Sequence, residues 1–122
     1  MKLSYLLKLF FVCFLCLNAA YSQKKAKLID KEKLVQLISA DNFQLLDVRT
    51  EQEFKQGYIE GAVNIDYWDP DFEQKVKATL DKKIITIVYC AAGGRSEMAC
   101  KLLANKGFKL LYDLQGGYED FN

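Results

Sequence analysis

Between Tyr89 and Ser96 the sequence reads Tyr-Cys-Ala-Ala-Gly-Gly-Arg-Ser, which sets one thiol, Cys90, and one guanidinium, Arg95, around four small residues. Gly93 and Gly94 can take positive φ and turn successive backbone N–H groups toward one point. Such a concavity binds an anion, and a helix opening near Ser96 adds its positive end. Both effects favour thiolate over thiol, and Arg95 adds a fixed positive charge at the rim. The chain has no histidine, so a Cys–His couple and the common imidazole metal sites are excluded. Ionisation by field alone suits such a chain. A ring of amides around one sulfur anion can also hold a second sulfur, as a persulfide. Cys90 would attack the outer sulfur of a donor such as thiosulfate and expel the remainder as an anion. It would then yield the sulfur to a thiol or to cyanide, a double displacement. The bland alternative makes Cys90 a small buried hydrophobe at a strand end. Two glycines and an arginine ahead of a helix count against it.

The elements that must position this loop alternate. "KLID" offers a short strand, and Asp30 caps a helix carrying Leu34, Leu37 and Ile38 at helical spacing. Phe43–Val48 is a compact apolar strand. Thr50 as N-cap and Glu53 as its capping-box partner open a short helix that Gly57 closes. "AVNI" is the next strand. Pro70 suits a first helical position, with Phe72, Val76 and Leu80 spacing the helix behind it. Ile84–Tyr89 is apolar throughout, as expected of a strand covered on both faces of a parallel sheet. Ser96–Lys106 reads as a helix with Met98, Ala99, Leu102 and Leu103 inward and Gly107 at its end. "LLYDL" makes a last strand, "GG" a turn, and "YEDFN" the start of a terminal helix. This order implies an α/β layer sandwich with right-handed crossovers. Function in such sheets gathers at the carboxyl ends of the strands, where Cys90 stands.

The first 22 residues read differently. Lys2 and Lys8 precede the apolar run Leu9–Leu17, and small residues Ala20 and Ser22 follow, the order of a secretory signal cleaved before Gln23. An uncleaved anchor is the alternative. The export reading places residues 23–122, one domain, in the periplasm or outside the cell, with no stable membrane insertion after cleavage. Cys13 and Cys16 fall inside the apolar segment, where their redox-like spacing is accidental. Without residues 1–22, 15 basic residues stand against 16 acidic ones, alternating along the chain. No nucleic-acid footprint is present. Cys90 and Cys100 invite a disulfide, but a helix from Ser96 carries Cys100 about 6 Å along its axis, so two free thiols are expected.

Three blocks carry a family resemblance. "LLDVRTEQEFKQGYIEGAVNI", "VYCAAGGRS" and "GFKLLYDLQGGYEDF", in this order, resemble a single-domain rhodanese over about Ile29 to Phe121. The resemblance implies a five-stranded parallel sheet flanked by helices and sulfurtransferase activity with no metal or organic cofactor. It matches Cys90 to the sulfur-carrying nucleophile and Ala91, Ala92, Gly93, Gly94 and Arg95 to the substrate cradle. Tyr58 departs from the family, which often has histidine there. Thiolate phosphatases resemble one another in placing five residues between cysteine and arginine; four intervene here, which suits one sulfur better than a phosphate. Asp47 and Arg49 end a strand near the catalytic edge, where Arg49 is expected to pair with Glu53 and anchor the first helix. Tyr67 and Trp68 are candidates for a pocket wall, Glu97 suits the helix dipole, and Lys24, Lys25 and Lys27 read as a solvated tail. The partners implied are a small sulfur donor and a thiol or cyanide acceptor. Two rivals stand beside this reading: a non-catalytic rhodanese-like binding or sulfur-carrier module, and a thiol oxidoreductase that would need Cys100 to resolve a disulfide.

Overall fold

The computed structural model describes residues 2–19, 25–40 and 42–122; the expected cleavage point after Ser22 and the basic Lys24 lie outside them. A first helix, α1 (Lys2–Ala19), precedes the domain. The domain then runs β1 (Lys27–Ile29), α2 (Lys31–Ile38), β2 (Phe43–Asp47), α3 (Glu51–Lys55), β3 (Ala62–Asn64), α4 (Phe72–Thr79), β4 (Ile85–Tyr89), α5 (Gly94–Asn105), β5 (Leu111–Leu114) and α6 (Gly117–Phe121). The five strands form one sheet in the order β1-β5-β4-β2-β3, every pairing parallel.

Both faces of this sheet are covered, which explains why Thr86 is the only non-aromatic polar residue of β4. Ile87 and Tyr89 point to one side with Leu34, Leu45, Ile59 and Leu114. Val88 and Cys90 point to the other with Phe72, Val76, Ala99, Cys100 and Leu103 of α4 and α5. The β2-to-β3 crossover thus passes over one face and the β4-to-β5 crossover over the opposite one. A crevice opens where neighbouring connections part, between the ends of β2 and β4, as parallel sheets of this kind require.

Side-chain caps open α2 and α3 as their sequences demand. The Asp30 carboxylate accepts from Lys33 N at 2.8 Å. Thr50 and Glu53 close a full capping box at α3. Three details differ from expectation. Pro70 does not begin α4: Asp71 N donates to the Asp69 carboxylate at 2.8 Å and Phe72 N to Asp69 O at 3.0 Å, so a turn occupies Pro70 and the helix starts after it. Helix α5 starts two residues before Ser96, because Gly93, at φ +126°, makes the whole reversal and Gly94 is already helical. Met98 is exposed; Ser96, Ala99, Cys100 and Leu103 form the inward stripe of α5.

Candidate active site

Cys90 follows β4 at the centre of the sheet and is only 1% exposed. The Gly93 N–H donates to its sulfur at 3.0 Å, the hydrogen bond that defines the cradle. Only Gly93 of the two glycines takes positive φ; Gly94 supplies the first helical residue instead. The Ser96 hydroxyl stands 3.5 Å from the sulfur and donates to Gly93 O at 3.0 Å, bracing the loop it faces. Ala91 is half-buried and Ala92 exposed.

The loop is held from behind by α6. Tyr118 N donates to Cys90 O at 2.8 Å and Glu119 N to Ala91 O at 3.0 Å. A trans peptide points its carbonyl and N–H in opposite directions, so this anchoring leaves the Ala91 and Ala92 amides on the side away from α6. The approach is close enough to demand glycine. A Cβ on Gly117, at φ +62°, would lie 2.5 Å from both Cys90 O and Ala91 O.

Arg95 does not stand free at the rim. Its Nη1 meets Glu53 Oε2 at 2.7 Å and its Nη2 meets Oε1 at 2.9 Å, tying α5 to α3 across the crevice. Glu53 Oε2 also accepts from Thr50 N at 2.8 Å. Hydrogen bonding from Arg95, outweighing partial burial, lowers the Glu53 carboxyl to about 2. The guanidinium charge is thereby shared with a carboxylate.

The expected Arg49–Glu53 pair is not formed. Arg49 turns back to Asp47, with Nη2 2.7 Å from Oδ2 and Nε 3.0 Å from the same oxygen, and donates to Gly57 O at 2.7 Å. Both residues are buried, and the guanidinium lies 4.3 Å from the Tyr118 ring centre. A carboxylate two residues away within the same turn is the nearer partner, which leaves Glu53 for Arg95. Asp47 and Arg49 therefore pair within the β2–α3 turn and tie it to Gly57 O. Asn64 completes the brace, donating to Asp47 O at 3.1 Å and Arg49 O at 2.9 Å.

Tyr67 packs edge-on against Phe72 and Trp68, while Trp68 itself is largely exposed. Tyr58 is exposed and stacks on Phe54 at 4.2 Å, so the departure at this position is a surface substitution. Cys100 and Cys90 are both free thiols, as expected. Burial pushes the Cys100 thiol far up, a poor setting for a resolving cysteine. Among the described residues no cluster of histidine, cysteine and carboxylate is fit to hold a metal.

Ser96, Asn64 and Gly117 carry parts of this site that sequence reading passed over. For Gly117 a signal existed: a double glycine followed directly by a helix start implies close backbone approach as well as a turn.

A profile of the rhodanese-like domain family matches residues 30–122. Protein HIGH ARSENIC CONTENT 1, mitochondrial, of Arabidopsis thaliana is 34% identical over 79% of this chain and 65% of its own length. Thiosulfate sulfurtransferase 16, chloroplastic, of the same plant is 39% identical over 60% of this chain and 68% of its own. The chain thus spans about two thirds of each relative. Among solved structures, a rhodanese-related protein from Thermoplasma volcanium superposes with a TM-score of 0.68 at 29% identity, covering 78% of this chain and 89% of that one.

Proposed function

The chain belongs to the rhodanese-like domain family, and from that premise we propose that it is an exported sulfurtransferase working through a persulfide on Cys90. The observation that carries the reading is the 3.0 Å hydrogen bond from Gly93 N–H to the Cys90 sulfur at the opening of α5. A sulfur anion at that point is met by a fixed donor and a helix end, with no reorganisation needed when charge develops. Cys90 attacks the outer sulfur of a sulfane donor such as thiosulfate; the S–S bond breaks and sulfite leaves with the electron pair. A thiolate or cyanide then attacks the outer sulfur of the persulfide, and Cys90 departs as the thiolate that began the cycle. The likeness to a thiosulfate sulfurtransferase supports this donor class.

The export half of the proposal rests on Lys2 and Lys8 ahead of the apolar run Leu9–Leu17 within α1, whose residues Leu3, Leu6, Leu7, Phe10 and Phe11 are all exposed. Expression in a bacterium that processes secretory signals is expected to yield a protein beginning at Gln23 outside the cytoplasm. Retention of residues 1–22 in the membrane fraction would instead make them an anchor.

The catalytic half is tested by mass. Protein mixed with thiosulfate is expected to gain about 32 Da, one sulfur atom, and to lose it to cyanide as thiocyanate. Cys90→Ala is expected to do neither. Failure of every sulfane donor to add sulfur would leave a binding module as the better reading.

A further inference from the structure

Asp113 of β5 is 6% exposed, and its Oδ1 is fully buried without a hydrogen-bond partner among the described residues. Its register partner on β4 is Val88, which lies in the apolar layer under α5, so Asp113 faces α5 as well. Its register partner on β1 is Leu28, which faces the same way and yet is 61% exposed. Helix α5 therefore roofs β4 and β5 and leaves β1 open on this side. The result is a cavity of about 690 Å³. Asp113 and Leu28 form its floor, Cys100 and Ala104 line its α5 wall, and Ala92 and Gly93 border it where that helix begins. Its size is that of a small-molecule site.

A buried carboxylate oxygen without a partner is costly, and the groups around it decide what relieves the cost. Burial pushes the Asp113 carboxyl up, as expected of a charge short of stabilising contacts. Cys100, in the same cavity, is a neutral thiol pushed far up by burial, and among the described residues no cluster of acids and cysteines is fit to hold a metal. A water would fill the hydrogen bond and leave the charge unpaired. A primary ammonium supplies both, with three donors and one positive charge. The cavity also carries a complement for the opposite charge. Lys101 is engaged with Glu97 at 3.3 Å, whereas the exposed Lys25 makes no ion pair among the described residues.

We propose that this cavity binds a small zwitterion, a straight-chain amino acid with its ammonium on Asp113, its methylenes over Leu28 and its carboxylate at Lys25. The last torsion of an aspartate is broad, so a modest rotation turns the unpaired oxygen toward the cavity that the residue lines. The exposed leucine gains an apolar neighbour, the buried acid a cation and the free lysine an anion. Each of the three is otherwise left without one. The Cys90 sulfur takes no part in this binding, which therefore stands or falls apart from the sulfurtransferase reading.

The test titrates the detergent-solubilised full-length protein at neutral pH with the straight-chain amino acids from glycine to 6-aminohexanoate, following backbone amides by nitrogen-15 NMR. Butylamine and butyrate, which carry one charge each, are titrated beside them. At least one amino acid is expected to shift the Leu28, Gly93 and Ala104 amides and to bind about tenfold tighter than either single-charge probe. Asp113→Asn keeps the shape of the side chain and removes its charge, and is expected to weaken that binding about tenfold. The bound amino acid is also expected to raise the Tm of the unsubstituted protein and leave that of Asp113→Asn unmoved. Should Asp113→Asn fail to fold, Lys25→Glu, a change at an exposed position, decides instead: it is expected to weaken binding about tenfold, and full affinity in it overturns the proposal. The proposal also fails if no member of the series shifts the cavity amides, if butylamine binds as tightly as the best amino acid, or if Asp113→Asn retains full affinity.

Discussion

At residue scale the site is a set of exclusive pairings. Glu53 has one carboxylate and serves two elements with it, capping α3 through Thr50 and holding α5 through Arg95. Because its folded pKa of about 2 lies below the unfolded value near 4.3, the pairing is complete above about pH 5 and is lost as pH falls toward 2. Glu53→Gln keeps much of the cap but frees the guanidinium. Sulfur transfer is expected to fall roughly tenfold through looser positioning, and the acid limb of a thermal-stability-against-pH curve is expected to flatten. An unchanged acid limb would assign that stability elsewhere. Cys90, Arg95 and the Thr50–Glu53 cap were legible in the sequence because each belongs to a local pattern. The Glu53–Arg95 pair was not, since it joins residues 42 positions apart. Helical spacing pointed to Arg49, whose own turn offered Asp47. The part Ser96 plays was invisible too: only the folded loop sets its hydroxyl beside the sulfur and on Gly93 O.

At element scale the catalytic loop is a joint between three pieces, with β4 delivering it, α5 leaving it and α6 closing it from behind. Strand and helix order was readable from apolar periodicity and caps, and the covered β4 from its β-branched, largely apolar residues. The ends of α4 and α5 were not, because an Asp69 turn and a single positive-φ glycine set them. The two glycines near the loop have opposite demands. Gly117→Ala puts a methyl 2.5 Å from two carbonyl oxygens at a left-handed φ. It is expected to cost about 2–4 kcal/mol, read as a fall in Tm of about 10 °C or more. Gly94 begins a helix with open space around it, so Gly94→Ala is expected to raise stability by about 0.5–1 kcal/mol. Equal destabilisation by both would mean that α6 does not depend on the close approach at Gly117.

For the whole molecule, the described members of the two apolar layers on either side of the sheet come from residues 26–121. Among the described residues α1 contributes none of them, and its large apolar side chains from Leu3 to Phe11 face solvent. Large apolar side chains left in water in this way add nothing to the stability of the domain beside them. Its removal should therefore cost the domain nothing. A chain of residues 23–122 has balanced charge, 15 basic against 16 acidic residues, and contains the whole sheet, both layers and the Cys90 loop. It is expected to unfold in one cooperative transition, with a Tm within about 2 °C of the detergent-solubilised full chain. Its Cys90 alkylation rate should match as well, since among the described residues both hydrogen-bonding neighbours of the sulfur, Gly93 N–H and Ser96 Oγ, lie in its own loop. A Tm lower by ten degrees, or a slower thiol, would show that residues 1–22 pack on the domain and would take the export reading down with it.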